Sequence, residues 1–404
     1  MKILQINCTY KQGSTGKIVC DIHTDLIQKG VQSVVCYGRN GKVDEENVYK
    51  TCSDFYAKCN NLRSRFTGLM YGGCFLSTNK LISIIKKENP DVVHLHCING
   101  YFVNIYRLIT WLKNNKIKTL LTLHAELMHT ANCGYALDCD NWKTGCGNCP
   151  RLRRETNSLF LDRTATSWKK MKKAFDGFDT LIVASVSPWL TERAQQSPIL
   201  AERNHCVVLN GLDTDIFRYT DTEELKREMG LEGKKVVFHA SPAFNNDPEH
   251  IKGGYYLLKT AQAMLGEDVV FVVAGPHPED LEVPANVMLL GRVADQRLLA
   301  RYYAMADVTL LTSKKETFSM ITAETLCCGT PLVGFKAGAP ERIAIPEYTV
   351  FVEHADTAAL VRALQEMLAR PVDKQQIADV AQQRYSKKKM SESYYALYQK
   401  LIEQ

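Results

Sequence analysis

Short apolar runs alternate with stretches of helical period along most of this chain. In the first half the runs fall at residues 2–8, 33–37, 92–96, 119–124 and 180–185. Helical patterns occupy about 17–29, 79–88 and 104–115 between them. The second half repeats the style, with apolar runs at 236–239, 269–274, 287–290, 308–312 and 331–333. Strands alternating with helices predict an α/β protein whose parallel sheets are covered by helices on both faces. Pro188 and Pro198 punctuate a polar stretch at 188–205, which predicts a boundary between two domains there, 1–195 and 196–385. A last helix over about 386–404 carries Tyr394, Leu397, Tyr398 and Leu401 on one side.

Length agrees with this division, since 404 residues are enough for two cores. No apolar run approaches the ~18 residues of a membrane-spanning helix, and the opening segment reads as a strand and not as a signal peptide. The expected location is the cytoplasm. Of fourteen cysteines, Cys20, Cys36, Cys97 and Cys206 lie singly in apolar segments and read as small buried hydrophobes. Charge is uneven. Residues 1–200 hold 27 Lys+Arg against 16 Asp+Glu, leaving 23 against 28 for residues 201–404. Arg151, Arg153, Arg154, Lys169, Lys170, Lys172 and Lys173 cluster in the basic half. A basic surface of this kind suits anionic lipid headgroups or a phosphate-bearing acceptor, and a merely solvated helix face is the alternative. Nucleic acid is not expected, because no aromatic-interleaved basic motif is present.

The segment 316–331 is the strongest chemical signal. The apolar run 308–312 leads into Glu316-Thr-Phe-Ser-Met-Ile-Thr-Ala-Glu324, and Gly329 stops the helix that follows. A strand feeding a helix start presents unpaired backbone N–H groups, the usual phosphate site of an α/β protein. Glu316, before the turn, is placed to meet sugar hydroxyls. Glu324, about two turns into the helix, is placed to reach a ribose diol. Two solvated glutamates on a surface helix would give the same pattern. A P-loop is excluded, since Lys11 and Ile18 stand where glycine and Ser/Thr are needed around Gly16-Lys17. A dinucleotide fingerprint is disfavoured, because no acidic residue follows the strand ending at Tyr37.

Taken in order, these motifs resemble retaining glycosyltransferases of family 4, the group 1 family. The resemblance rests on Gly13-Ser-Thr-Gly16, Val208-Leu-Asn-Gly-Leu-Asp213 with Phe217, Lys252-Gly253, Val272-Val-Ala-Gly275, Leu290-Gly-Arg-Val293, Ala306-Asp307, and the Glu316/Glu324 pair with Gly329-Thr-Pro331. His94-Leu-His96, Gly100-Tyr-Phe-Val-Asn104 and Leu121-Thr-Leu-His124 look like a bacterial branch associated with capsule, exopolysaccharide and O-antigen assembly. The resemblance implies a GT-B fold, two facing Rossmann-like domains with the C-terminal helix crossing back to the first. It implies transfer of a sugar from a UDP- or GDP-sugar to a hydroxyl with retention. The acceptor would be a polyprenyl-diphosphate-linked glycan at an anionic membrane surface, the enzyme sitting peripherally on the inner face.

The same resemblance distributes roles. Glu316 would bind donor-sugar hydroxyls, Glu324 the ribose, and Lys252 with the N–H groups around Ser319, Met320 and Ile321 the diphosphate. His124 would face the donor sugar near the anomeric centre. Gly13 and Gly16 would let backbone approach the diphosphate or acceptor, and Asn210 and Arg292 are further donor-side candidates. No metal would then be required at the diphosphate; Asp138-Cys-Asp140 has a metal-motif spacing but lies among clustered cysteines. Two departures stand out. His239-Ala-Ser-Pro242 replaces a segment where relatives often carry arginine, and Ala125-Glu126 follows His124 where they often carry aspartate. They keep two alternatives open, a nucleotide-sugar epimerase of the same fold and a non-catalytic nucleotide-sugar-binding protein.

Cys133, Cys139, Cys146 and Cys149 lie in a cysteine-rich insertion at about 125–155. Four thiolates suit a closed tetrahedral zinc site, structural in role. Free thiols or redox pairing are the alternatives.

Overall fold

The computed structural model describes residues 1–404. The chain divides into two compact units, Met1–Leu209 with Met390–Gln404, and Asn210–Lys389.

In the first unit the chain order is β1 (Lys2–Asn7), α1 (Gly13–Gln28), β2 (Gln32–Tyr37), β3 (Val48–Lys50), α2 (Asp54–Thr67), α3 (Phe75–Glu88), β4 (Val92–Leu95) and α4 (Ile105–Asn114). Then come β5 (Thr119–Leu123), α5 (Leu127–Thr130), α6 (Leu152–Glu155), α7 (Thr164–Phe175), β6 (Leu181–Ser185), α8 (Pro188–Gln195) and β7 (Asn204–Val207). The strands form one sheet in the order β3-β2-β1-β4-β5-β6-β7, with every pairing parallel. Its central strands are buried along almost their whole length, as a sheet covered on both faces must be.

The second unit runs α9 (Glu223–Glu228), β8 (Lys235–Ala240), α10 (Gly254–Ala263), β9 (Val269–Ala274), β10 (Val287–Gly291), α11 (Gln296–Met305), β11 (Val308–Leu311) and α12 (Met320–Cys327). It continues through β12 (Leu332–Phe335), α13 (Pro340–Ile343), β13 (Thr349–Val352), α14 (Thr357–Ala369) and α15 (Lys374–Tyr385) into the start of α16 (Lys387–Glu403). Its sheet is also parallel, in the order β10-β9-β8-β11-β12-β13. Val237, Phe271, Leu310 and Val333 of the sheet pack with Leu257, Leu360 and Leu364 of the helices. No helix in the chain is long and apolar enough to cross a membrane.

The stretch 188–205, where a domain boundary was expected, is structured and belongs to the first unit, which runs on to Leu209. Ser187 accepts a hydrogen bond from the Leu190 N–H and Pro188 occupies the first turn, so a polar, proline-marked segment starts α8. β7 then pairs with β6, Ile182 opposite Asn204, and carries the first unit on to Leu209. The final helix does return to the first unit. Met390, Tyr394, Tyr398 and Leu401 share a core with Ile3, Ile22, Val92, Leu120 and Ile182.

Gly211 shows why its motif contains glycine. A Cβ there would lie 2.5 Å from Lys387 Cα and 2.8 Å from the Ser386 carbonyl oxygen. Leu212 N–H donates to the Tyr385 carbonyl at 2.8 Å, Lys387 N–H donates to the Leu212 carbonyl at 2.9 Å, and Lys387 Nζ meets Asp213 at 2.7 Å. Two backbone passages therefore run in direct contact. Gly211→Ala should destabilise the protein by about 1–3 kcal/mol through overpacking, read as a lower urea midpoint with an unchanged slope. An unaltered midpoint would show that the two passages separate without cost.

Candidate functional site

In the second unit the strand order reverses between β8 and β11, since β9 and β10 lie to one side and β12 and β13 to the other. All carboxyl ends lie on one edge, and a crevice opens where the connections diverge. There the sequence places 240–242 after β8, 275–276 after β9, 291–293 after β10 and 312–319 after β11. A cavity of about 550 Å³ is lined by Ser241, Gly275, Arg292, Tyr303, Ile321 and Glu324, among others.

Glu316 is buried, and its Oε1 accepts from Lys252 Nζ at 2.6 Å. Its N–H donates to the Ala337 carbonyl at 2.9 Å, so the loop after β11 is braced against the segment beyond β12. Lys252 is presented by a tight approach: Gly253 has φ +68° and a Cβ on it would lie 2.0 Å from the Thr312 carbonyl oxygen. Only glycine fits there. Ser319 starts α12 with φ +79°, uncommon for a residue with a side chain, and its Oγ accepts from the Thr322 N–H at 3.3 Å. The N–H groups of Met320 and Ile321 lie in the first turn, ahead of any intrahelical acceptor. Farther along α12, Glu324 Oε2 accepts from the Tyr303 hydroxyl at 3.0 Å. Tyr303 is fully buried, and burial beside that carboxylate raises its phenol well above the usual range, so it stays a donor. Arg292 is exposed on the cavity rim. Asn210 is buried at the start of the unit.

The arginine-less segment is also accounted for. His239 is buried and its Nδ1 donates to the Leu310 carbonyl at 2.9 Å. Burial lowers its pKa from 6.5 to about 4. It ties β8 to β11 as a neutral ring, and Arg292 is the guanidinium of the cavity.

In the first unit the strand order reverses between β1 and β4, and His94, His96 and His124 lie near the carboxyl ends of β4 and β5. Gln5 orients this group. Its amide N–H points at the Val19 carbonyl at 3.4 Å, so its oxygen accepts from His96 Nε2 at 3.2 Å. His96 Nδ1 is then an acceptor, and His124 Nε2 donates to it at 3.3 Å. His94 bonds Tyr398 at 2.7 Å and Thr122 at 2.8 Å. Burial lowers the pKa of all three rings, that of His124 to about 4, so they are neutral near pH 7. Gly13 has φ +68°, and a Cβ on Gly16 would lie 2.9 Å from Thr9 Oγ1, so both glycines meet demands of their own loop.

Glu126 does not replace the aspartate that the resemblance led one to expect after His124. It is fully buried, ion-paired with Arg193, and accepts from the Ala136 N–H at 2.8 Å. It pins the cysteine-rich segment. The zinc expected at the four cysteines of that segment is not shown, since no group of three or more His, Cys, Asp or Glu side chains is arranged to hold a metal. Cys146 Sγ points at the Thr130 carbonyl at 3.7 Å. Burial raises the Cys133 and Cys146 thiols, that of Cys146 to about 11. Asp140, of the acid-Cys-acid triplet, pairs with Lys143 at 2.9 Å.

Residues 234–370 match the family described as Glycosyl transferases group 1. The matched segment lies within the second unit. Over 99% of its length the chain is 24% identical to the whole of WcaC of Escherichia coli K12, a protein assigned to colanic acid biosynthesis as a glycosyl transferase. Among solved structures it is similar to sucrose-phosphate synthase of Thermosynechococcus elongatus, with a TM-score of 0.68 and 15% identity over 100% of this chain and 99% of that one. It is also similar to Anabaena Alr3699/HepE in complex with UDP-glucose, with a TM-score of 0.64 and 16% identity over 99% of this chain and 100% of that one. The chain has the GT-B fold, with two Rossmann-like units.

Within the second unit, pattern reading located Glu316, Glu324 and the α12 start but missed Tyr303. Its signal was a tyrosine at the buried face of an amphipathic helix, which core packing alone would explain. The histidine group carries a pH consequence. A ring whose folded pKa is depressed is bound by fewer protons folded than unfolded, so stability is full above the ordinary 6.5 and declines as pH falls toward about 4. Urea unfolding should lose up to about 1.4 kcal/mol per pH unit for each such ring in that window. Equal stability at about pH 7 and about pH 5 would contradict the neutral assignment.

Proposed function

We propose that this glycosyltransferase moves a sugar from a UDP- or GDP-sugar to a hydroxyl of a glycan acceptor, with retention of anomeric configuration, in bacterial surface polysaccharide assembly. The observation that carries the reading is the convergence of Lys252, Glu316, the α12 start and Glu324 along one edge of the second sheet. A leaving nucleoside diphosphate gains negative charge as the anomeric carbon becomes cation-like. Fixed donors answer that charge without reorganising, on a scale of about 3–4 kcal/mol for one well-placed donor. Lys252 and the N–H groups of Met320 and Ile321 supply them, with Arg292 as a second cation. Glu316 takes donor-sugar hydroxyls, and its ion pair holds Lys252 in place beforehand. Glu324, oriented by Tyr303, takes the ribose diol. Neutral His124, held through His96 and Gln5, is assigned to the reacting sugar.

The relative WcaC supports a polysaccharide product, and the UDP-glucose complex of HepE supports a nucleotide-sugar donor. The acceptor is proposed to be polyprenyl-diphosphate-linked, met at the inner face of the cell membrane.

Nucleotide release from a panel of UDP-, GDP-, ADP- and dTDP-sugars tests the reading. One donor should be turned over, and Glu316→Ala should lower the rate by at least about 100-fold. Tyr303→Phe should raise KM more than it lowers kcat, since the tyrosine acts through a binding carboxylate. Donor binding without release, even with lipid-linked acceptor present, would refute transfer. Conversion of the donor sugar to its epimer without acceptor would do so as well.

A further inference from the structure

Helix α2 is amphipathic in the reverse sense. Phe55, Cys59, Leu62 and Phe66 recur at helical spacing and form one stripe, and that stripe faces solvent: Phe55 is 78%, Leu62 53% and Phe66 51% exposed. The buried face holds Ala57, Asn60 and Ser64. This orientation is locked by polar contacts. Asn60 Oδ1 accepts from the Cys74 N–H at 2.8 Å, its Nδ2 donates to the Tyr56 carbonyl at 2.8 Å, and Ser64 Oγ donates to the Leu69 carbonyl at 3.2 Å. Turning the apolar stripe inward would leave those groups unpaired, so the exposure is fixed by the fold.

Neighbouring segments enlarge the patch. The Phe160 ring lies 6.3 Å from Phe66 and is 73% exposed. Leu76, 71% exposed, is tied to α2 by its N–H donating to Tyr56 Oη at 3.3 Å. Single exposed apolar residues are ordinary, but a contiguous group on one side marks an interaction surface.

Charge names the partner. Residues 55–87 contain Lys58, Arg63, Arg65, Lys80, Lys86 and Lys87 and no acidic residue. Asp54, just before them, is consumed by Arg39 and Lys50. Beside the patch, and sharing Phe75 with it, α3 and α4 enclose a groove of about 820 Å³ into which Lys86, Arg107 and Lys170 project. Lys86 lies over Trp111 and Lys170 over Tyr106, and none of the three is ion-paired to a carboxylate. A symmetric contact between two copies would set these cations against themselves. A folded protein partner anchors through side chains that fill pockets, whereas here convex apolar side chains stand among cations.

We propose that α2, with the start of α3 and the 160–161 segment, is a docking surface for a bilayer of anionic phospholipid. The apolar stripe enters the boundary between headgroups and acyl chains while the flanking lysines and arginines meet lipid phosphates. This deepens the membrane-linked part of the proposed function by naming its surface, and it is tested without reference to catalysis.

The full chain would be floated with phosphatidylcholine vesicles, with and without phosphatidylglycerol. It should bind the anionic vesicles, lose binding as salt rises, and ignore the neutral ones. The variant Phe55→Ser/Leu62→Ser/Phe66→Ser should need about tenfold or more lipid for half-binding, and Lys58→Glu/Arg63→Glu/Arg65→Glu likewise. Both variants alter exposed positions and should keep the wild-type melting temperature. Absence of vesicle binding by the wild type, or undiminished binding by both variants, would overturn the proposal. So would a dimer in sedimentation that the serine variant abolishes, which would assign the patch to a second copy. Failure of nucleotide release in every protein, with lipid binding intact, would count against the proposed reaction and not against this surface.

Discussion

Parallel strands buried on both faces leave a polar group few places to be. Along either sheet the side chains are enclosed by helices, so a carboxylate or ammonium can meet a ligand only where strands end. Each sheet also reverses its strand order once, at β1/β4 and at β8/β11, which parts the connecting loops and opens a crevice. His96, His124, Lys252, Glu316 and the start of α12 all occupy such ends. The chemistry is gathered by topology more than by closeness in sequence: Lys252 and Glu316 are 64 positions apart and yet share a hydrogen bond.

Within that geometry, polar pairs do the orienting. Lys252 with Glu316, Tyr303 with Glu324, and the chain from Gln5 through His96 to His124 each fix a functional group before a ligand arrives. A partly enclosed site strengthens such interactions relative to open water, and it also makes an unpaired group expensive. The same logic explains residues that look reactive and are structural. Glu126 and His239 are fully or almost fully buried, and each joins neighbouring segments, His239 through its Nδ1.

Legibility in the sequence followed physical distinctness. Long apolar runs announced the central strands of both sheets, and the turn before α12 stood out because a glutamate on either side of a strand-to-helix junction is chemically conspicuous. Short edge strands were harder. β3 is three residues long, and β7 reads Asn-His-Cys-Val with both end residues exposed, so hydrogen bonding to a neighbour defines it more than composition does. Proline suggested a domain boundary near 188 because its role at a helix start depends on the serine before it. Tyr303 was silent for a general reason: a buried tyrosine reveals its hydrogen bond only when its partner is placed.

The return of α16 has a consequence for biosynthesis. The first unit is assembled from two stretches far apart in sequence, since Met390, Tyr394, Tyr398 and Leu401 close a core begun by Ile3 and Ile18. On the ribosome, those amino-terminal strands emerge long before the helix that covers them has been made. The intervening unit, contiguous from Asn210 to Lys389, can finish folding first. Nascent chains of this protein therefore carry an open apolar face until α16 has been made and has left the ribosome.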